Sequence, residues 1–176
     1  MKNLLKVRRC LISLSNKRNI KSFAKLLQNL NIKIVSTGNT GRVLREANIK
    51  VEAIERVTKF PEILDGRVKT LHPKIYGGIL ANQDNKKHIK QINQLNIQQI
   101  QLVVVNLYPF EEVIKKTNSI DKCIENIDIG GPSLIRAAAK NYMSIAVVVD
   151  IDDYTKINRE LEKYNGITLE LRKYLA

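Results

Sequence analysis

Tryptophan is absent from this 176-residue chain, and cysteine, histidine and methionine occur only twice each. Two cysteines, Cys10 and Cys123, make no disulfide framework, and two histidines furnish no zinc site. Aromatic residues are 5% of the chain, with only Phe23 in the first 45 residues. The stacking platforms that a single-stranded nucleic acid needs are therefore missing there. No apolar run approaches the ~18 residues of a membrane span. Charges break up Met1-Lys-Asn-Leu-Leu-Lys-Val-Arg-Arg9 too often for a signal peptide. Acids are scarce at first as well: 11 basic side chains precede Glu46, the first carboxylate. These absences give the expectation of a soluble, cytoplasmic, metal-free protein.

What is present suits one folded domain, which at this length buries about 70% of its unfolded surface. A hydrophobic share of 44% excludes a disordered or collagen-like chain. The formal net charge of +13 is unevenly placed. Residues 1–88 hold 19 Lys and Arg against 6 Asp and Glu, and residues 89–176 hold 11 of each. A basic patch implies an anionic partner, a polyanion or a phosphorylated small molecule, or else solvated lysine on outer faces, as is expected of Lys2, Lys6, Lys21, Lys25 and Lys33.

The apolar period alternates between strand and helix. Strands are expected at 9–14, 33–37, more weakly 51–57, then 102–107 and 144–149. Helices are expected at 19–30, 40–47, 84–95, 110–116, 119–126, 130–140, 152–164 and 168–176. Leu102-Val-Val-Val-Asn-Leu107 is apolar on both faces, as befits a parallel strand covered by helices. Residues 58–82 show no period. The alternation predicts an α/β fold, three-layered, with a mostly parallel sheet and helices on both faces.

Ligands of such sheets bind beyond the carboxyl ends of the strands. Ser15, Asn16 and Lys17 follow the first strand there, and Ser36-Thr37-Gly38-Asn39-Thr40 follows the second. The latter suits a phosphate cradle, hydroxyls and free N–H groups meeting a helix start, or simply an N-cap and a turn. In Asp65-Gly-Arg67-Val-Lys69-Thr70-Leu-His72-Pro73 the two cations alternate with apolar residues, so both can face one ligand. Asp128 and Lys140 bracket the helix opened by Gly130-Gly-Pro132, an acid and an amine that could exchange protons or form an ordinary salt bridge. Tyr108 is a phenolic donor or a packing residue.

Four motifs in order carry a resemblance: Asp65 to Pro73, Val105-Asn-Leu-Tyr-Pro-Phe110, Ile127-Asp-Ile-Gly-Gly-Pro132 and Arg136-Ala-Ala-Ala-Lys-Asn141. Over residues 8–165 the chain resembles the N-terminal IMP cyclohydrolase domain of the bifunctional purine biosynthesis enzyme. The resemblance implies a methylglyoxal-synthase-like α/β fold over residues 1–165. It makes 166–176 the start of a C-terminal helix or linker toward a transformylase domain, in a fragment or a free-standing domain. It implies dehydrative ring closure of 5-formamidoimidazole-4-carboxamide ribonucleotide to IMP. No cofactor is implied; 10-formyltetrahydrofolate would serve the transformylase alone. The implied partners are a purine nucleotide and a second copy in a homodimer, with no nucleic acid or membrane.

By the same resemblance Ser15, Lys17, Ser36, Thr37, Gly38 and Thr40 hold phosphate, and Arg67, Thr70, Asn106 and Gly130 bind substrate. Lys69, Tyr108, Asp128 and Lys140 are the implied catalytic set, with Asp128 and Lys140 handling the carboxamide protons. Asn16, Asn39, Tyr76 and Tyr142 depart from the family pattern, the last two standing where histidine is usual, but none removes a catalytic side chain. Three rivals are a phosphorylated-ligand regulatory module, methylglyoxal synthase and a nucleic-acid binder. The motifs at 65–73 and 127–141 oppose the first, nothing beyond fold supports the second, and the lack of aromatics opposes the third.

Overall fold

The computed structural model describes residues 4–176; Lys2, expected among the solvated lysines, lies outside them. The chain runs β1 (Arg9–Leu14), α1 (Ile20–Asn29), β2 (Lys33–Ser36), α2 (Gly38–Glu46), β3 (Val51–Ala53), α3 (Ile54–Thr58) and a 3-10 turn at Leu64–Gly66. It continues through α4 (Pro73–Leu80), α5 (Lys86–Gln94), β4 (Leu102–Asn106), α6 (Phe110–Lys116), α7 (Ile120–Glu125) and α8 (Gly130–Lys140). After β5 (Ala146–Val148) come a 3-10 turn at Ile151–Asp153, α9 (Tyr154–Tyr164) and α10 (Leu169–Leu175).

The strands form one sheet in the order β3-β2-β1-β4-β5, every pairing parallel. Successive side chains of a strand point to opposite faces, and here each face meets helices. Cys10, Ile12, Leu14, Leu102 and Val104 pack with Phe23 and Leu27 of α1 and Ile157 and Leu161 of α9. Leu11, Val35, Val103, Val105 and Val147 pack with Ile54 of α3, Ile75 and Ile79 of α4, and Leu134 and Ala138 of α8. The continuous apolar runs of β1 and β4 are explained by this burial on both sides.

Two elements differ from the sequence expectation. The third strand stops at Ala53, and α3 takes over because Ile54 and Thr58, four apart, are both buried. The Thr58 hydroxyl donates back to Ile54 O at 3.1 Å and closes that turn. Within the aperiodic stretch, α4 starts at Pro73, with His72 Nδ1 accepting from Lys74 N–H at 3.1 Å. Its period is hidden because glycine occupies the packed face. A Cβ on Gly78 would fall 2.6 Å from Gln98 O. Asparagine takes the left-handed position after α1, α2, α5 and α9, at Asn31, Asn48, Asn96 and Asn165, where glycine is more usual.

Residues 166–176 pack on this body. Leu5 and Ile167 form an antiparallel bridge. The buried Arg172 guanidinium donates to Tyr142 O at 3.0 Å and Ile167 O at 2.7 Å.

The Tyr154 ring stacks on Phe23 with centroids 4.3 Å apart. Burial, with the Cys10 thiol adding a little, pushes its phenol up to about 12. Burial also pushes the Cys10 thiol well above its ordinary range. Unfolded tyrosine ionises near 10, so the unfolded chain loses its proton first. Stability is full below that pH and falls as pH rises through about 12. Tyr154→Phe should remove part of this alkaline loss, measured as urea unfolding free energy at about pH 9 and about pH 11.

Candidate active site

The strand order reverses between β1 and β4, and open α/β sheets bind ligands at the carboxyl edge of such a switch point. Asn106, the last residue of β4, stitches the crevice together. Its Oδ1 accepts from Ser15 N–H at 2.8 Å and Asn16 N–H at 3.0 Å, and its Nδ2 donates to Asn16 O at 2.8 Å. Lys17 folds over the same loop, donating to Ser15 O at 3.0 Å. Partial burial lowers its pKa from the ordinary lysine value.

The loop after β2 lies alongside. Ser13 and Thr37 hydroxyls meet at 3.2 Å. Ser36 donates to Ile12 O at 2.7 Å, and Thr40 donates to Leu14 O at 3.0 Å while accepting Leu14 N–H at 3.1 Å. Both hydroxyl protons are thus committed to β1, and these two residues shape the loop. What faces outward is the N-terminus of α2 at Gly38, whose φ is +26°, with no side-chain cap from Thr37. Such a helix start favours an anion.

The loop containing residues 62–70 closes a second side. Lys69 Nζ pairs with Glu62 Oε1 at 2.9 Å, and both side chains are about one-third exposed, at 34% and 35%. A Cβ placed on Gly38 would stand 3.9 Å from that ammonium, so Lys69 lies at the start of α2. Gly66, at φ +87°, leaves the space that the pair occupies, since a Cβ there would fall 2.5 Å from Lys69 Cε and 2.6 Å from Glu62 Oε1. Thr70 is buried, and a Cβ on Gly130 would lie 3.0 Å from its hydroxyl. Arg67 points elsewhere and pairs with Glu125 on α7, both well exposed.

The third side is the start of α8. Asp128 Oδ1 accepts Gly131 N–H at 2.8 Å, which satisfies one of the helix's free donors. A Cβ on Gly131 would sit 2.5 Å from Asp128 Oδ2 and 2.6 Å from Leu107 Cδ2. Ser133 donates to Gly130 O at 2.9 Å, so the 2.5 Å contact between the two hydroxyls makes Tyr76 the donor to Ser133. Burial raises the Tyr76 pKa. Tyr108 is 56% exposed at the mouth of the β4 loop.

One expected pairing is not formed. Lys140 ends α8, ten helical steps from Gly130 and hence about 15 Å along the axis. Its side chain is exposed, so within this chain it shares no reacting centre with Asp128. Sequence reasoning missed Glu62, Ser13 and Ser133. Glu62 follows Pro61 in the aperiodic stretch, where only the folded turn shows that it meets Lys69. No group of three or more His, Cys, Asp or Glu among the described residues could hold a metal. No helix among them is long and apolar enough to cross a membrane.

Fold and site together define a class: the chain belongs to the MGS-like domain family, whose profile matches residues 19–133. Residues 138–176 match the AICARFT/IMPCHase bienzyme family. The relatives carry this further. The chain is 51% identical over 170 residues to the bifunctional purine biosynthesis protein PurH of Thermoanaerobacter sp., covering 96% of this chain and 34% of that protein. It is 52% identical over 171 residues to the protein of the same name from Listeria welshimeri, covering 97% of this chain and 34% of the relative. The chain therefore spans about a third of these relatives' length. A solved structure, the crystal structure of ForH, superposes with a TM-score of 0.84 at 32% identity, over 95% of this chain and 86% of that one.

Asn106→Ala would leave two loop N–H groups without their acceptor. It should cost about 1–2 kcal/mol in denaturant unfolding and free the 15–17 loop, read as faster amide exchange at Ser15 and Asn16.

Proposed function

We propose that this domain is an IMP cyclohydrolase, closing the six-membered ring of 5-formamidoimidazole-4-carboxamide ribonucleotide with loss of water in purine biosynthesis. The observation that carries the reading is the convergence of Lys69, Thr70 and Gly38 on one side and the Asp128-capped start of α8 on the other. Around it stands a loop set suited to a mononucleotide phosphate. Residues 65–73 and 127–141 hold the motifs of the cyclohydrolase, and the relatives are named for purine biosynthesis.

The chemistry needs a base, an acid and donors for a developing oxyanion. The carboxamide nitrogen is a weak nucleophile and loses a proton as it attacks the formyl carbon. The former formyl oxygen gains negative charge, is protonated, and leaves as water after the ring nitrogen supplies its second proton. In our assignment Asp128 takes the carboxamide proton, and Lys140, at the far end of α8, is given no part in that step. Lys69 polarises and protonates the formyl oxygen, and Glu62 holds the ammonium in position. N–H groups at the start of α8 and the Tyr108 phenol assist the oxyanion. The N-terminus of α2, Thr37 and Lys17 receive the phosphate. Because nucleophile and electrophile are parts of one molecule, holding them in near-attack geometry supplies much of the acceleration. The reaction calls for no cofactor, and 10-formyltetrahydrofolate would belong to a transformylase partner domain. The working form in this reading is a cytoplasmic homodimer.

A spectrophotometric ring-closure assay tests this. Lys69→Ala and Asp128→Ala should each lower kcat by about a hundredfold or more, the second also losing the cap of α8 and about 0.5–2 kcal/mol of stability; near-normal turnover from either folded variant would refute its role. Lys140→Ala should lower turnover less than either. Glu62→Gln should lower kcat by about tenfold with little change in KM. Nucleotide binding with no turnover by the intact chain would favour a regulatory module instead.

A further inference from the structure

The opposite edge of the sheet holds a second basic site. There the first residues of adjacent strands lie side by side, with Lys33 N–H donating to Arg8 O at 2.9 Å. Gln101, just before β4, accepts the N–H groups of Arg8 and Arg9 at 3.2 and 3.0 Å, which fixes the main chain carrying both cations. A cleft of about 510 Å³ opens here, with α5 as its wall. Arg8, Arg9 and Lys33 line it and no carboxylate does.

The three cations are not equivalent. Arg9 is buried, meets Glu52 of β3 at 3.2 Å and also donates to the Gln98 amide oxygen. Its charge is matched. The Arg8 guanidinium and the Lys33 ammonium have no ion pair or side-chain hydrogen bond among the described residues. Both line one cleft, so an anion bound there would face two cations. Ile89, Ile92 and Ile97 supply an apolar flank to the same cleft. The volume falls in the range of small-molecule sites, about 300–1,000 Å³, and no aromatic residue lines the cleft to stack nucleic-acid bases.

We propose that this cleft binds a small organic phosphate. Its phosphate sits between Arg8, whose fork suits phosphate geometry, and Lys33, and its apolar or heteroaromatic body lies on the isoleucine flank. The site is separate from the loops after β1, β2 and β4, because the six residues of β1 alone span about 20 Å between the two edges. Lys33, expected from sequence to be a solvated lysine on an outer face, acquires a partner class. The proposal does not depend on the reaction assigned above.

The test is a titration of the nitrogen-15-labelled chain with adenosine monophosphate, inorganic phosphate and a short single-stranded oligonucleotide, each separately. Adenosine monophosphate should shift the amides of Arg8, Lys33 and Gln99 as a set saturating independently of Gly38 to Gly41. Arg8→Gln/Lys33→Gln should weaken that set by about tenfold with unchanged ring closure. Asn93→Asp, which puts a carboxylate on the cleft wall, should weaken it in the same direction. Unmoved amides at Arg8 and Lys33, equal response in the double variant, or a response to oligonucleotide alone would overturn the proposal. Inorganic phosphate binding as tightly as the nucleotide would overturn its organic character.

Discussion

The structure depends on β1 being buried on both faces and bonded along both edges. Its neighbours are β2 and β4, drawn from residues 33–36 and 102–106. A strand so placed has no solvent face, so every residue from Arg9 to Leu14 must satisfy one helix layer or the other or a hydrogen bond. Because the sheet is wholly parallel, the segments after β1, β2 and β4 must all leave at one edge. The convergence of Ser15, Thr37 and Asn106 follows from that geometry before any chemistry is considered.

Glycine then sets how closely these segments approach. The chain has 8 glycines, and Gly66, Gly130 and Gly131 lie at this edge, where a side chain would crowd Lys69, Glu62, Thr70 or Asp128. Helix termini, elsewhere the usual place for glycine, are given to asparagine. The scarce residue is concentrated where backbone must pass near a functional side chain.

Much of this was legible from residues alone. The runs at Arg9–Leu14 and Leu102–Asn106 announce strands because each apolar side chain has a core to enter. The Ser36–Thr40 loop and the 65–73 motif were visible as patterns. Less legible were features set by tertiary contact. Helix α4 hides its period behind Gly77 and Gly78, and α3 begins where a strand pattern still continues. Ser36 and Thr40 read as free hydroxyls, yet their protons go to carbonyls of a strand 24 and 26 residues earlier. Asp128 and Lys140 look like a pair in a motif, but the straight helix between them keeps them apart. Glu62 has no local pattern at all, and only the turn at Leu64, Asp65 and Gly66, all at positive φ, brings it onto Lys69.

The Asn106 stitch has a consequence for the order in which the molecule is built. Its partners at Ser15 and Asn16 lie 91 and 90 residues back. During synthesis β1, β2 and β3 can pair while β4 is still absent, leaving one edge of β1 open. Closing so distant a pairing is entropically slow. The Ser15–Lys17 loop therefore takes its folded shape only when β4 docks. A nascent or partly folded chain with three paired strands is a sheet without a site.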